Sequence, residues 1–337
     1  MRTRTKKSSP PKNMTTNSNL PRVSVVIPTH NPRKDYLARV IDALRQQTLP
    51  REQWEIIVID NASTEIVGGR LDLSWHANAR IVREERLGLT FARLRGFAEA
   101  KGELIVMVDD DNVLAPDYLE NAVKIAEEHK DLGAFGGKCL PEFETEPEPW
   151  MEEFLPLLAL RDHGEKEIIA GDTRSADGSR RAYPDQAAPI GAGMVLRSSA
   201  ARAYAKRLDQ ETKRPKDQKP LTDRKGDSLA SAGDNDLVFA ILRDGWKVGY
   251  FPQLKITHLI PSSRLTVDYL ARANRGVQRS WVEVLRKHDA CPWPVISRTS
   301  APLRKVRAFF KCRGWQKPAG FTRWQACCGQ FEGRIRS

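Results

Sequence analysis

The apolar run LIVMV, Leu104–Val108, ends directly on three consecutive carboxylates, Asp109, Asp110 and Asp111. Like charges side by side repel, and burying them unpaired costs several kcal/mol or more. A chain that closes a buried strand on such a triplet must bring something positive to that strand's end. One of the three could cap the helix that follows Pro116, but a cap explains one carboxylate and leaves two.

The pattern around the triplet predicts the sheet it belongs to. VSVVI (Val23–Ile27) is an apolar run that stops at PTHNP, where Pro32 opens a helix over Arg33–Gln47. WEIIVID (Trp54–Asp60) and ARIVR (Ala79–Arg83) read as further strands, and Leu89–Lys101 as a helix closed by Gly102. Glu103–Val108 is the fourth strand, with a helix over Asp117–His129. Continuous Ile/Val runs alternating with helices indicate an α/β fold, a mostly parallel sheet flanked by helices. Later, Leu132–Leu140 reads as a strand, Glu148–Leu160 as a helix and Ala188–Arg197 as a Gly-rich turn into a strand. Tyr204–Ala230 is polar and Pro-containing and reads as a mobile loop, in the position of a lid. Asp234–Arg243 is a helix stopped by Gly245, WKVGYF and KITHLI are two strands, and Thr266–Lys287 is a long helix.

The net charge of +12 suggests nucleic acid until it is located. Residues 1–22 hold six Arg and Lys and no acid, and residues 286–337 hold twelve against Asp289 and Glu332. The body, 23–285, is therefore net −4, from +12 less +6 and +10. Basic ends suit acidic surfaces, anionic lipid or nucleic acid, or are simply solvated. No apolar run approaches the roughly 20 residues of a membrane-spanning helix, and the N-terminus lacks the apolar stretch of a secretory signal. Its composition is that of disorder, and Met14 is a candidate natural start. Five cysteines, an odd number without zinc-ligand spacing, suggest reduced thiols in a cytoplasm.

In open parallel sheets ligands bind at the carboxyl ends of the strands, where Asp60, the triplet and the PTHN turn all fall. Asp60 is either a turn-capping residue or a ligand contact. For the triplet a divalent cation is the better explanation, since Mg2+ or Mn2+ takes one or two carboxylates and completes its shell with water and phosphate oxygens. Strand alternation would put Asp109 and Asp111 on one side and turn Asp110 away. No G-x-G-x-x-G follows the first strand and no G-x-x-x-x-G-K-[ST] occurs, which excludes a dinucleotide fingerprint and a P-loop.

Six segments in order over Val23–Ile260 resemble the family-2 glycosyltransferases: VSVVIPTHN, VIDNAST, LGLTFARLRGFAEAKGE, VMVDDDNVLAPDYL, GAGMVLRSSA and AGDNDLVFAILRDGWKVGYFP, followed by KITHLI. The resemblance implies the GT-A fold and an inverting transfer from a nucleotide sugar, a UDP-sugar favoured. It implies Thr29 and Asn31 by the nucleotide, Asp60 on its base, Arg93 and Asp110 at the donor, and Asp109, Asp111 and His258 on a metal, Mn2+ or Mg2+. Asp234 would be the catalytic base, with Asp236 in reserve because Gly233 replaces the first acid of the family's usual pair. Taken alone, His258 reads equally as a satisfied histidine at a strand end, and Asp234 as a helix N-cap.

The expected organisation is a basic disordered tail (1–22), a GT-A domain (23–264) and a basic helical C-terminal extension (265–337). The domain divides into a nucleotide-binding half (23–140) and an acceptor half (141–264). The expected partners are a nucleotide-sugar donor and a glycan or lipid-linked acceptor of surface polysaccharide or glycoconjugate synthesis. An anionic membrane surface would join them if the Trp- and Phe-bearing basic tail lies on lipid. The location is then cytoplasmic, peripheral on the inner face of the membrane. No specific nucleic acid is expected, a basic-tailed nucleic-acid-binding protein being the alternative and a non-catalytic transferase the third reading.

Overall fold

Strand β1 (Val23–Thr29) is buried at every position, and so is β2 (Trp54–Asn61), as expected of parallel strands covered on both faces. The computed structural model describes residues 20–69, 71–175, 177–212 and 233–335. Between β1 and β2 runs α1 (Lys34–Arg45), and β3 (Ala79–Glu84) and α2 (Leu89–Glu99) follow. The next elements are β4 (Leu104–Met107), β5 (Asn112–Leu114), α3 (Tyr118–Glu128) and β6 (Leu132–Phe143). A 3-10 stretch (Pro149–Leu158) leads to β7 (Ile168–Ala170), a small hairpin of β8 (Thr173–Arg174) and β9 (Arg181–Ala182), and β10 (Val195–Arg197). Helices α4 (Ser198–Thr212) and α5 (Gly233–Arg243) precede β11 (Lys247–Ile260). Three helices, α6 (Val267–Lys287), α7 (Ala301–Lys311) and α8 (Pro318–Arg334), complete the described chain.

The main sheet runs in the order β3-β2-β1-β4-β10-β6-β11-β5, with β7 also paired to β11. Strands β3, β2, β1 and β4 are mutually parallel, as are β6 and β11, while β10, β5 and β7 run against their neighbours. Alternation along β1 divides the core. Val23, Val25 and Ile27 pack with α1 and α3, and Val26 faces α2, α4 and α5 across Ile57, Ile59 and Ile105.

The structure corrects several expectations. Strand β4 stops at Met107, and Asp109–Asp111 form a turn closed by the Asn112 amide on the Asp109 carbonyl at 3.0 Å. Strand alternation therefore does not reach the triplet, and Asp110 is not turned away. Of the loop expected over Tyr204–Ala230, residues 204–212 are helical, because Ala200, Ala201, Tyr204 and Leu208 make a buried stripe on α4. The rest of that segment, and the N-terminal tail up to residue 19, lie outside the described residues. The helix expected over Glu148–Leu160 is 3-10, with Pro156 inside it unable to donate an α-helical hydrogen bond. The two strands expected near 250 are one, β11, whose register shifts between Tyr250 and Lys255 around Pro252.

Helix α8 lies against α6 at very close range. A Cβ on Gly329 would come 2.1 Å from the Arg275 carbonyl oxygen, and one on Gly333 would come 2.7 Å from that of Arg279. Only glycine allows the two backbones to meet there. Met151, Phe154 and Leu158 of the 3-10 stretch pack with Ile260, Leu265 and Leu270, tying the helical extension to the sheet's carboxyl edge. The five cysteines are free. Among the described residues no helix is long and apolar enough to cross a membrane.

Candidate active site

The carboxyl ends of β1, β2 and β4 open onto a cavity of about 270 Å³. Its wall includes Thr29, Asn61, Arg93, Asp109, Asp110, Asp111, Gly191, Asp234, His258 and Arg264. Seven of the expected site residues thus meet in one place: Thr29, Arg93, Asp109, Asp110, Asp111, Asp234 and His258.

The turn after β1 is fastened to the triplet by the Thr29 hydroxyl, which donates to Asp110 Oδ2. Asn61, at the end of β2, fastens the next turn. Its amide donates to the Glu84 and Arg86 carbonyls at 3.2 and 2.8 Å, and its oxygen takes the Gly88 N–H at 2.8 Å. Gly88 has φ +139°, a conformation that side chains disfavour, and from it α2 starts and carries Arg93 inward.

Arg93 Nη1 lies 2.5 Å from Asp234 Oδ1, and the other carboxylate oxygen accepts the Gly191 N–H at 3.0 Å. Asp234 stands in the first turn of α5 and faces the cavity across this clamp. Gly191, from the Gly-rich turn before β10, has no room for more. A Cβ there would lie 2.4 Å from Asp234 Oδ2 and 2.5 Å from Arg93 Nη2.

At the opposite wall, Asp111 Oδ2 is 2.9 Å from Arg264 Nη2 and 3.3 Å from His258 Nε2, and Arg264 Nη1 is 3.1 Å from the same ring nitrogen. Burial pushes the Asp110 carboxyl up to about 7, with Asp111 beside it adding to the rise. Burial also raises Asp109, against the pull of Arg93. The cluster is thus short of positive charge. Among the described residues no set of three or more His, Cys, Asp and Glu stands assembled for a metal ion. Asp111 and His258 nevertheless aim an oxygen and a nitrogen at one cation, the Arg264 guanidinium. That donor set, completed by diphosphate oxygens, suits a divalent ion.

Three expected residues stand elsewhere. Asp60 is buried, and its carboxylate accepts from Arg83 Nη1 at 2.9 Å and from the Ser63 and Val67 amides at 3.2 and 3.3 Å. Burial pushes its carboxyl up, but the Ser63 hydroxyl, Arg83 and these amides outweigh it and hold the group below the ordinary value. Asn31, at φ +49°, accepts from the Thr64 amide and hydroxyl at 2.9 Å and lines a neighbouring cavity of about 300 Å³. Asp236 is buried under Tyr204, Lys287 and His288, at 2.9, 2.9 and 2.8 Å. Its carboxylate is engaged there by all three and does not line the cavity.

Sequence reasoning missed Arg264 and Gly191. GAGMVLR shows a Gly-rich turn, but the close approach of Asp234 that requires Gly191 has no mark in the sequence. Arg264 follows an ordinary turn, and nothing in its spacing marks it.

A sheet of this order, with an acidic cavity at the carboxyl ends of its parallel strands, defines a protein of the GT-A fold. The mannosyltransferase PcManGT from Pyrobaculum calidifontis, in complex with GDP-Man and Mn2+, shares it with a TM-score of 0.54 at 19% identity, over 91% of this chain and 74% of that one. S. aureus TarS 1–349 in complex with UDP-GlcNAc shares it with a TM-score of 0.51 at 14% identity, over 93% and 90%. Residues 24–187, just under half of the chain, match the glycosyl transferase family 2. The glucosyl-dolichyl phosphate glucuronosyltransferase of Haloferax volcanii is 29% identical over 152 residues, 42% of this chain and 46% of that protein. The dolichol-phosphate mannosyltransferase of Pyrococcus furiosus is 27% identical over 144 residues, 41% and 39%. The chain thus spans under half the length of these curated relatives.

Proposed function

We propose that the chain is a metal-dependent inverting glycosyltransferase. It moves a sugar from a nucleotide sugar, UDP-sugars favoured, to a hydroxyl of a glycan or lipid-linked acceptor in surface polysaccharide or glycoconjugate synthesis. The observation that carries this reading is the position of Asp234 between two spaces. It lines the acidic cavity, and it also lines a groove of about 480 Å³ whose other walls include Phe154, Asn274, Val277, Gln278 and Arg323. A carboxylate between a donor space and an acceptor space is where inverting transfer needs its base.

In this reading the donor diphosphate lies against Asp109–Asp111 and the nucleoside toward Thr29 and Asn61. Asp111, His258 and Asp109 would hold Mn2+ or Mg2+, which supplies stabilisation of the negative charge that develops on the leaving diphosphate. An acceptor hydroxyl enters from the groove and gives its proton to Asp234 as its oxygen attacks the anomeric carbon from the face opposite the diphosphate. The Gly191 N–H fixes the orientation of that carboxylate, and Arg93 bridges it to the donor side. Residues 23–140 form the donor half and 141–264 the acceptor half, with the extension 265–337 walling the groove.

Both curated relatives are named for dolichyl or dolichol phosphate, which supports a lipid-linked acceptor. Peripheral contact with an anionic membrane, on the cytoplasmic face, belongs to the same proposal. Its support is α7 and the turn after it, where Leu303, Val306, Phe310 and Trp315 are exposed among Arg304, Arg307 and Lys311. The nucleic-acid alternative is not favoured, because residues 23–285 are net negative.

The test is a thermal-shift panel of UDP, GDP, dTDP and CMP with and without Mn2+, followed by transfer assays with Asp234→Asn. A nucleotide at about 100 times its dissociation constant adds roughly 2.7 kcal/mol. The expected result is a metal-dependent shift with one nucleotide, retained in the variant while transfer falls roughly 10²–10⁴-fold. Failure of every nucleotide to shift the protein would overturn the proposal.

A further inference from the structure

Arg264 occupies a place that its surroundings leave to a cation. It ends the 3-10 turn Ser262–Arg264, which is anchored from outside the cavity. Glu144 Oε2 accepts the Ser262 amide at 2.8 Å and its hydroxyl at 3.0 Å, and Glu144 Oε1 takes Arg33 Nη1 at 3.1 Å. The backbone of the turn is therefore tied down, and the Arg264 side chain alone reaches the acidic cluster.

A guanidinium has donors only, so His258 meets Arg264 with the lone pair of Nε2 and carries its ring proton on Nδ1. That Nδ1 is buried and has no hydrogen-bond partner among the described residues. The ring is thus held with its lone pair toward the cationic position without a polar partner behind it. Asp111 Oδ2, 3.3 Å from that Nε2, meets the same guanidinium beside it. A carboxylate oxygen and an imidazole lone pair converging on one point are donors for a divalent ion, and here one positive group already satisfies both.

We propose that Arg264 is the resident counter-cation of the carboxylate cluster. With no metal bound it stands on Asp111 and His258, and a divalent ion binds there only by exchanging it off both. The inference rests on the metal-dependent reading above. The exchange keeps the cluster compensated in both states. Without the guanidinium, and with no metal bound, Asp111 would stand beside Asp109 and Asp110 with no cation at that wall.

The test is a titration of the nucleotide-free full chain with MnCl2, the free ion followed by its EPR signal, on wild type, Arg264→Lys and Arg264→Ala. Circular dichroism checks that each is folded, and the lysine variant keeps the experiment decisive should the alanine variant fail to fold. Both variants are expected to bind Mn2+ roughly tenfold or more tightly than wild type, because the competing fork is gone. Lysine keeps the charge but cannot reach Asp111 and His258 with two parallel donors, so it separates exchange from a general field effect. Equal affinity of wild type and Arg264→Lys would overturn the inference, as would weaker binding by either variant. In both cases the metal-dependent reading would stand. Absence of Mn2+ binding by all three proteins would overturn that reading, and this inference with it.

Discussion

Gly191 holds Asp234 in place, whereas Asp236 is held by Tyr204, Lys287 and His288. The Gly191 amide holds one oxygen of the carboxylate, and an added Cβ would strike both Asp234 and Arg93. Gly191→Ala should lower transfer roughly 10²-fold through misplacement of the base, while stability falls by only about 1 kcal/mol. A variant of unchanged turnover would show that the carboxylate needs no such clamp. Asp236 lies two residues further along α5, and two residues on an α-helix are roughly 200° of rotation, so the two side chains face opposite ways. The two carboxylates of AGDNDL therefore stand in different surroundings. Burial pushes the Asp236 carboxyl up, but His288 and Lys287 outweigh it and hold the group below the ordinary value of 3.8. Its stabilisation is therefore complete above that value and is lost as pH falls through the lower folded one. Asp236→Asn should cost about 3–5 kcal/mol near neutral pH. The gap to wild type should narrow below about pH 4 in denaturant unfolding, and a gap independent of pH would rule this linkage out.

At the scale of elements, the strands and helices of the first half are legible because burial on both faces leaves unbroken Ile/Val runs. The three-residue strand β5 is not legible, since its place is fixed by pairing with β11 at the far edge of the sheet. Helix α4 was hidden by its polar face, although the stripe Ala200, Ala201, Tyr204 and Leu208 was present in the sequence. The contact of α8 with α6 leaves no trace in apolar periodicity, because it is made by glycines. Gly329→Leu should force the helices apart and cost about 1–3 kcal/mol or more. It should also spoil transfer to acceptor more than nucleotide binding, since Ala326 and Arg323 of α8 wall the groove. Nucleotide affinity falling in parallel would contradict that division. On α7, Leu303, Val306 and Phe310 stand on one exposed face. Flotation with anionic liposomes should carry wild type upward, and Phe310→Asp should weaken it. A wild type that stays at the bottom of the gradient would exclude the membrane contact.

For the whole molecule, the acidic cavity was legible in part, because Thr29 and the triplet stand at or just after strand ends, which announce themselves in sequence. The groove was not. It is assembled from the 3-10 stretch, Ile190 of the turn before β10, the start of α5, the middle of α6 and a face of α8, five segments spread from Glu153 to Ala326. Asp60 illustrates the same limit from the donor side. Its position at a strand end was readable, whereas its commitment to Arg83 and two turn amides depended on how the next strand lay beside it. The basic ends were located correctly by charge, and the structure adds that Arg323 is paired across the groove with Glu153 while Arg275 and Lys305 share Glu332. Part of that positive charge is therefore spent on internal pairing.

The glycine contact between α6 and α8 has a consequence for engineering. The donor cavity is built largely within the stretch that matches the family, 24–187, while Asn274, Val277, Gln278, Arg323 and Ala326 of the groove all come after it. A helical pair joined through bare backbone can be exchanged as one piece where Lys287 and His288, which hold Asp236, are kept. On the proposed function, grafting residues 265–335 from a relative with another acceptor should then redirect what receives the sugar and leave untouched what donates it.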